Sequence, residues 1–309
     1  MGRKITVFGS FVTDLTSRSN AFPRPGETVK GNSFKMGPGG KGSNQAVAAH
    51  RAGADVTFVT KLGADALGQA AKDFYQSEGM RTDYVFTDPE AATGAALIMV
   101  NEESSENEII VVNGACGQIT PEETEQVLPL LDKDSIFLTQ LETNLEPVYV
   151  LLKAAKEAGC VTILNPAPAC EVRAELFESV DILTPNETEA EFFTGIRVTD
   201  EKTAAEAAEK LHAMGVANVV ITLGAAGCYI STGKEQGMIS AVNAGKVIDT
   251  TGAGDCFSGS FAAALAEGKE FADAVRFAAA ASGISVTRLG TAPAMPVREE
   301  IEALLKQQG

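Results

Sequence analysis

The segment Asp249-Thr-Thr-Gly-Ala-Gly-Asp255 leads directly into an apolar stretch, Cys256-Phe-Ser-Gly-Ser-Phe-Ala-Ala-Ala-Leu265, which has the composition of a buried helix. Glycines just before a helix allow several backbone N–H groups to converge at its positive end, which makes a natural anion site. Asp255 falls in the first turn of this helix. On spacing alone, its carboxylate has two interpretations: an acidic residue favoured by the helix dipole, or a general base that takes a proton from a substrate hydroxyl.

The rest of the chain alternates between short apolar runs and helical patterns. The predicted strands are nearly continuous in apolar residues, as expected for strands that are covered on both faces. They are Ile5–Gly9, Val56–Leu62, Ser135–Leu141, Val161–Leu164, Val180–Thr184 and Val219–Leu223. The predicted helices are Asn44–Ala52, Leu67–Glu78, Pro121–Leu131, Glu146–Ala158, Glu187–Thr194, Ala204–Met214 and a long stretch from Gly254 to Arg288. This order predicts an α/β fold, a three-layer αβα sandwich with a parallel sheet between two layers of helices.

Two segments interrupt the alternation, residues 11–37 and residues 92–113. The first is rich in proline, glycine and β-favouring residues. The second contains two apolar strand candidates, Ala95–Val100 and Glu108–Val112, joined by the polar tip Asn101–Asn107. We expect the two segments to form a small antiparallel β lid beside the main domain, with both strands of the second segment covered on more than one side.

No linker, low-complexity tract or repeat interrupts the chain, so residues 1–309 are predicted to form one α/β domain with this lid inserted. The formal net charge is −16, from 25 basic and 41 acidic side chains. A nucleic-acid-binding protein needs clustered Lys and Arg, and an acidic chain repels polyanions and anionic membrane surfaces. We therefore expect neither nucleic acid nor a membrane as a partner.

The five cysteines are odd in number and have no C-x-x-C spacing, and only two histidines are present. This argues against a zinc site and is typical of thiols in a reducing compartment. No secretory apolar region follows the N-terminus, and no apolar run of about 18 residues occurs. The cytoplasm is the expected location.

A second glycine-rich segment, Gly37-Pro-Gly-Gly-Lys-Gly-Ser-Asn-Gln-Ala46, also opens a predicted helix. Its glycines permit close approach of a ligand to the backbone, and Lys41 and Asn44 offer hydrogen-bond donors. The structural alternative is a tight β-to-α turn with Asn44 as the N-cap.

Two shorter segments lie between these glycine-rich ones. In Thr184-Pro-Asn-Glu-Thr-Glu189, Asn186 and Glu189 have the spacing of a capping box, and an amide with a carboxylate is also suited to hold hydrated Mg²⁺ near phosphates. The two interpretations are compatible. In Val219-Val-Ile-Thr-Leu-Gly-Ala-Ala-Gly227, a strand runs into a glycine turn, a pattern of low specificity by itself.

Taken together and in this order, these segments resemble the ribokinase family of carbohydrate kinases, also called the PfkB family, from Gly9-Ser10 to about Pro296. The resemblance implies an ATP-dependent sugar kinase that phosphorylates D-ribose at its 5-hydroxyl. Phosphorylation of 2-deoxyribose, another sugar or a nucleoside is the alternative within the family. A non-catalytic sugar-binding regulator is the alternative outside enzymes.

The resemblance also implies a role for each matching residue. Asp255 would be the general base, with the N–H groups of Gly252, Ala253 and Gly254 as the anion hole. The residues expected to bind the sugar are Asp14, Gly40, Lys41, Asn44, Glu142 and Asp255. The residues expected to bind ATP are Asn186, Thr222, Gly224, Gly227 and Gly254. Glu189 would hold Mg²⁺ through water. The residues expected around a monovalent cation, K⁺, are Asp249, Thr251, Ser285, Arg288 and Gly290. A homodimer through the lid is expected as well, because family members often pair their lids.

Three positions depart from the family pattern. Val12 in Gly9-Ser-Phe-Val-Thr-Asp14 stands where ribokinases carry an Asn that bonds the sugar 2-hydroxyl, which suits a sugar that lacks this hydroxyl. The alternative is that Val12 only packs the strand end. Ala294 replaces a hydroxyl residue that often assists the cation site, and Ala279 replaces a polar residue often close to the adenine.

Overall fold

A computed structural model describes residues 2–104 and 106–308. Ser105, in the tip predicted at Asn101–Asn107, lies outside the described residues. The strands are β1 Lys4–Phe8, β2 Val12–Ser19, β3 Ser33–Gly39, β4 Val56–Gly63, β5 Val85–Asp88, β6 Thr93–Asn101, β7 Asn107–Gly114, β8 Ser135–Thr139, β9 Val161–Leu164, β10 Ile182–Leu183, β11 Asn218–Thr222, β12 Cys228–Ser231 and β13 Gln236–Ile239. The helices are α1 Lys41–Arg51, α2 Ala66–Ser77, α3 Pro121–Val127, α4 Leu145–Ala158, α5 Glu187–Thr194, α6 Glu201–Ala213, α7 Ala253–Ala266, α8 Phe271–Ser285 and α9 Arg298–Gln308.

The main sheet has the strand order β13-β12-β11-β10-β9-β8-β1-β4-β5. Its strands are parallel from β11 to β5, and β12 and β13 extend one edge as antiparallel neighbours. In β8, Ile136 and Leu138 belong to one apolar core and Phe137 to the other, because neighbouring strand residues point to opposite faces. Helices α1, α2, α7, α8 and α9 cover the first face, and α3 to α6 cover the second. The predicted αβα sandwich is confirmed.

Some predicted boundaries were wrong. The single long helix predicted from Gly254 to Arg288 is two helices, because Gly268 adopts φ 88°, a left-handed conformation that ends α7. The strand predicted at Val180–Thr184 keeps only the two residues of β10. Strands β5, β12 and β13 and helix α9 were not predicted. The three strands have only four residues each, and so short a segment carries a weak periodic signal in the sequence.

The lid is a sheet of its own with the order β3-β2-β6-β7. Two of its pairings are antiparallel as predicted, but β2 and β6 run parallel, so the sheet is mixed. The reason is the connection: β2 follows β1 and β6 follows β5, and both leave the carboxyl end of the main sheet in the same direction. The prediction that Glu108–Val112 is covered on more than one side was also wrong, since this strand is exposed and Ile110 is 62% exposed. The division into one domain with an inserted lid stays a prediction.

Close contacts of α1 place its N-terminus beside that of α7. A Cβ on Gly259 in α7 would lie 2.3 Å from the Gln45 carbonyl oxygen in α1. A Cβ on Gly42 would lie 2.5 Å from the carbonyl carbon of Gly9, just after β1. Both contacts require glycine, and they bring the two glycine-rich segments to the same edge of the sheet.

Candidate active site

Asp255 lies in the first turn of α7 and is almost fully buried, with 6% exposure. Its two carboxylate oxygens accept hydrogen bonds from two neighbours on α1. Asn44 Nδ2 donates to Oδ2 at 2.9 Å, and Gln45 Nε2 donates to Oδ1 at 3.0 Å. An acidic residue that only favours the helix dipole is normally solvated. The burial of this carboxylate and its two side-chain donors therefore favour the interpretation of Asp255 as a general base over that of a helix-dipole residue.

The backbone before Asp255 forms an N–H-rich turn. Gly252 is the N-cap of α7 with φ 76°, and no side chain caps the helix. The Ala253 N–H donates to Thr250 O at 3.2 Å, which closes the turn. Within the described part of the chain, the N–H groups of Gly252, Gly254 and Asp255 donate to no acceptor. Free N–H groups at a helix N-terminus bind anions, so three of them are available here.

The glycine-rich segment before α1 has structural reasons of its own. The N-cap of α1 is Gly40, with φ 89°, and the helix begins at Lys41. The alternative that Asn44 is the N-cap was therefore wrong. A Cβ on Gly40 would lie 2.8 Å from the backbone N of Val12, so no larger residue fits. The Oδ1 of Asn44 is buried and has no partner among the described residues, which leaves an acceptor for a ligand hydroxyl.

Lys41 lies among carboxylates. Its backbone N–H donates to Glu142 Oε2 at 2.9 Å, and the same carboxylate accepts a hydrogen bond from Ser10 Oγ. Burial alone would lower the pKa of Lys41, but the attraction of the Asp255, Glu142 and Glu189 carboxylates outweighs it and raises this pKa. The ammonium group therefore stays charged beside Asp255.

Asp14 lies on β2, where it pairs with Gly37 of β3 and Ala96 of β6. Its Oδ2 accepts a hydrogen bond from Thr291 Oγ1 at 3.1 Å. Burial raises the pKa of Asp14 to about 6, the Thr291 hydrogen bond opposes this rise, and nearby carboxylates add to it. The carboxylates that raise it are those of Glu142, Asp255 and Asp249.

The segment after β10 lies next to the end of β11. Asn186 caps α5 in the predicted capping box, with Asn186 Oδ1 accepting from the Glu189 N–H and Glu189 Oε2 from the Asn186 N–H. Asn186 also forms a β-bridge to Thr222. Gly224 follows in a short 3₁₀ turn with φ 50°. Gly227 ends that turn, and packing requires a glycine there because a Cβ would lie 2.1 Å from Ile239 O.

Glu189 is 8% exposed, and its burial raises its pKa, opposed by the Asn186 N–H and by Lys41. Its carboxylate thus sits on the same side of the site as Lys41 and Asp255. In residues 2–104 and 106–308, no group of three or more His, Cys, Asp or Glu side chains could form a metal cage. A carboxylate beside an anion site suits Mg²⁺ that keeps most of its ligands from water and phosphates.

Asp249 joins the two loops that flank the N-terminus of α7. Its Oδ1 accepts from the Thr251 N–H at 2.9 Å and its Oδ2 from the Gly290 N–H at 3.0 Å. Across the residues that the structure covers, no donor bonds the carbonyl oxygens of Thr251, Arg288 and Gly290. Carbonyl oxygens are the ligands that a large monovalent cation prefers, so the loop fits one.

The other predicted positions around this loop contribute less. Ser285 is buried at the end of α8, where its hydroxyl donates to Ser282 O and its carbonyl accepts from the Arg288 N–H. The Arg288 guanidinium pairs with Glu300, so only its main chain faces the loop. Ala294 and Ala279 are buried and offer no polar side-chain group.

Two residues with a direct contact to the site were not predicted from the sequence. Gln45 follows Asn44 in the glycine-rich segment Gly37–Ala46, so its place in this segment is a sequence signal for a residue of the site. Thr291 is different: it donates to Asp14 and also lies 2.9 Å from Pro38 O. A Cβ on Gly252 would lie 3.4 Å from Thr291, so this threonine joins the lid to the start of α7. Nothing local in the sequence marks it.

Among the helices that the structure describes, none is both long and apolar enough to cross a membrane.

Comparison with known proteins agrees with this geometry. The family model described as "pfkB family carbohydrate kinase" matches residues 3–298. The chain is 41% identical to a ribokinase of Haemophilus influenzae over 97% of each chain. It is 36% identical to a deoxyribokinase of Salmonella typhi over 97% of this chain and 98% of that one. The structure of Arabidopsis thaliana ribokinase complexed with ribose and ATP matches with a TM-score of 0.90 and 33% identity over 99% of each chain.

The resemblance inferred from the sequence motifs is thus confirmed over nearly the whole chain. By its family match, its relatives and its fold, the chain belongs to the pfkB family of carbohydrate kinases.

Proposed function

We propose that this protein is a ribokinase that converts D-ribose and ATP to D-ribose 5-phosphate and ADP. One observation carries the proposal: a buried carboxylate, Asp255, lies in the same helix turn as three unengaged backbone N–H groups. A general base and an anion hole must be adjacent for phosphoryl transfer to a hydroxyl. The named relatives and the solved complex with ribose and ATP support ribose as the acceptor.

The reaction follows from these positions. Asp255 takes the proton of the sugar 5-hydroxyl, and the oxygen attacks the γ-phosphorus of ATP. The bond from that phosphorus to the bridging oxygen breaks, and ADP keeps the oxygen. The free N–H groups of Gly252 and Gly254, together with the Lys41 ammonium, stabilise the negative charge on the transferred group. Ala253, whose N–H is engaged with Thr250, helps through the turn that it closes.

The sugar lies between the lid and α1 in this proposal. Asp14 accepts hydrogen bonds from two sugar hydroxyls, and the partnerless Oδ1 of Asn44 accepts from a third. Gly40, through its backbone, and Lys41 contact the ring. Glu142, held by Ser10 and the Lys41 N–H, lies near the anomeric hydroxyl.

The nucleotide lies along the carboxyl ends of the strands on the other side of Asp255. The residues proposed to line its site are Asn186, Thr222, Gly224, Gly227 and Gly254. Glu189 would hold Mg²⁺ through water, and this ion, when bound, neutralises phosphate charge. The residues proposed to hold K⁺ are Asp249, Thr251, Ser285, Arg288 and Gly290. A cation there would strengthen the positive potential at the anion hole.

A second candidate substrate is 2-deoxyribose, because of Val12. This side chain is 3% exposed and follows the same face of β2 as Asp14. Val12 is the first residue of lid strand β2, and its Cγ1 packs on the neighbouring lid strand β6, where a Cβ on Gly94 would lie 2.9 Å from it. An apolar group there offers no partner to a 2-hydroxyl, and a deoxyribokinase is among the relatives.

We also propose a homodimer that forms through the lid. Leu15 pairs with Met36 and Leu97, and Leu97 pairs with Ile110, so these four form a row on the face opposite Asp14. Met36, Leu97 and Ile110 are 50%, 49% and 62% exposed. A contiguous apolar row on an edge-containing sheet is typical of a protein interface.

We also propose a cytoplasmic location, which rests on the amino-acid composition alone.

Replacing Asp255 by Asn removes the proposed base and keeps its size. We expect turnover to fall by at least ~10²-fold, with sugar and ATP binding nearly unchanged by calorimetry. Asp273→Asn is the matched control, because Asp273 is an exposed acidic residue in the first turn of α8. Near-normal turnover of Asp255→Asn contradicts the base. A wild-type protein that binds sugar but releases no ADP would instead be a regulator.

The pKa of Asp14, about 6, predicts how sugar binding depends on pH. Below this pH the protonated carboxyl loses acceptor capacity, so sugar affinity falls as pH is lowered. In Thr291→Val the loss of a donor to the carboxylate raises the pKa, and the fall moves to higher pH. Calorimetric titration between about pH 5 and pH 8 measures this. Thr291→Ser, which keeps the hydroxyl, is the control. If sugar affinity falls at the same pH in Thr291→Val as in the wild type, the hydrogen bond from Thr291 does not set the pKa of Asp14.

Val12→Asn tests which sugar is preferred. The new amide can pair with a 2-hydroxyl, so the ratio of kcat/KM for ribose over 2-deoxyribose should rise about tenfold or more. Val12→Ala, which removes bulk without adding a polar group, should alter both sugars alike. An unchanged ratio in Val12→Asn would mean that position 12 does not face the 2-position of the sugar.

The lid interface is tested by Ile110→Lys. A charge at the β7 end of the apolar row should convert the dimer to the 32.2 kDa monomer in sedimentation at micromolar concentration. Val150→Lys is the control, since Val150 is 44% exposed on α4, outside the lid. A wild-type protein that sediments as a monomer refutes the interface.

A further inference from the structure

We infer that Gln45 is a positioning residue for the catalytic base: it fixes the Asp255 carboxylate through a buried chain of side-chain amides. This inference rests on the proposed role of Asp255. Gln45 is fully buried in α1, one residue after Asn44. Neither the sequence motifs nor the family match assigns it a task.

Three amides from three elements make up the chain. Gln140, just after β8, donates from Nε2 to Gln45 Oε1 at 2.7 Å. Gln45 Nε2 donates to Asp255 Oδ1 and to Asn165 Oδ1, both at 3.0 Å. Asn165, just after β9, donates from Nδ2 to Thr184 O at 2.8 Å. All three amide residues are buried, with exposures of 6% or less.

The chain has only one consistent direction. The Thr184 carbonyl can only accept, so the Nδ2 of Asn165 must face it and the Oδ1 must face Gln45. Gln45 must therefore present its NH₂ group to Asn165, and the second N–H of that group points at Asp255. A flipped Gln45 would put its oxygen against two acceptors and its NH₂ against the NH₂ of Gln140. A main-chain carbonyl thus dictates that Gln45 donates to Asp255.

This donation divides the work between the two oxygens of the base. Oδ1 accepts a hydrogen bond from Gln45, and the Gln45 amide is itself fixed by hydrogen bonds to Asn165 and Gln140. Oδ2 accepts from Asn44, whose own Oδ1 is a buried acceptor with no hydrogen-bond partner among residues 2–104 and 106–308. Arrival of a sugar can rearrange the Asn44 bond while the Gln45 bond stays. The carboxylate then keeps the orientation that proton removal needs.

The decisive variant is Gln45→Met, which keeps the side-chain length and removes both donors. We expect kcat to fall by about 10- to 100-fold, because a misplaced base slows the chemical step. KM for sugar and for ATP should stay within about threefold, because Gln45 touches neither. Gln140→Met, which acts only through Gln45, should lower kcat by a smaller factor and have no further effect when combined with Gln45→Met.

Thr162→Val is the matched control. Thr162 is fully buried at the other end of β9, and its hydroxyl donates to Ser179 O at 2.7 Å. The loss of a buried hydrogen bond there should lower the melting temperature and leave kcat unchanged. An equal fall of kcat in Thr162→Val would mean that lost stability explains both variants and would overturn the inference.

The remaining outcomes separate this inference from the proposed function. If Asp255→Asn is slow and Gln45→Met retains normal kcat, the positioning role is refuted and the base stands. If Asp255→Asn has normal turnover, the base itself fails. Should Gln45→Met not fold, Gln140→Met decides alone: a lower kcat with unchanged KM supports the chain of amides, and an unchanged kcat refutes it.

Discussion

The close packing of α7 on α1 sets the geometry of the site. At Gly259 the main chain of α7 touches the main chain of α1, and at Gly42 the main chain of α1 touches the end of β1, so no flexible side chain lies in either contact. The two helix N-termini are consequently fixed at one edge of the main sheet. Asp255 from one helix and Asn44 from the other can then share a hydrogen bond of 2.9 Å without any flexible segment between them. A site built on two packed helices is more rigid than one built on loops.

This packing also explains how an acidic chain can attract an anionic substrate. The net charge of −16 repels polyanions at long range. At the site, however, unengaged N–H groups at the start of α7 and the Lys41 ammonium act over a few ångströms in a partly desolvated space. Salt screens these short-range interactions only a little, whereas it strongly screens the long-range repulsion that comes from the net charge. The expectation that the chain does not bind nucleic acid and the proposed anion site at the start of α7 therefore do not conflict.

Sequence patterns predicted the features that depend on neighbouring residues. The glycines before α7, the capping box of Asn186 and Glu189, and the apolar strands of the main sheet all have local signals, and the structure contains them. Features that depend on distant residues escaped. Thr291 contacts Asp14 across 277 positions of sequence, and no periodic pattern reports such a pair. The parallel pairing of β2 with β6 likewise depends on where the main sheet releases the two strands.

The glycine-rich segment before α1 illustrates why a motif and its chemical role are hard to separate. Gly40 and Gly42 are required by backbone contacts, so their presence is explained without any ligand. The same contacts nevertheless bring Val12 and Asp14 next to the start of α1, where the proposed sugar site lies. Val12 also packs on Gly94, at the beginning of lid strand β6. Both of these residues belong to lid strands, whereas the main-chain N of Val12 lies against Gly40, the N-cap of α1. Under the proposed function, the residue nearest the sugar 2-position therefore lies where lid strand β2 meets α1.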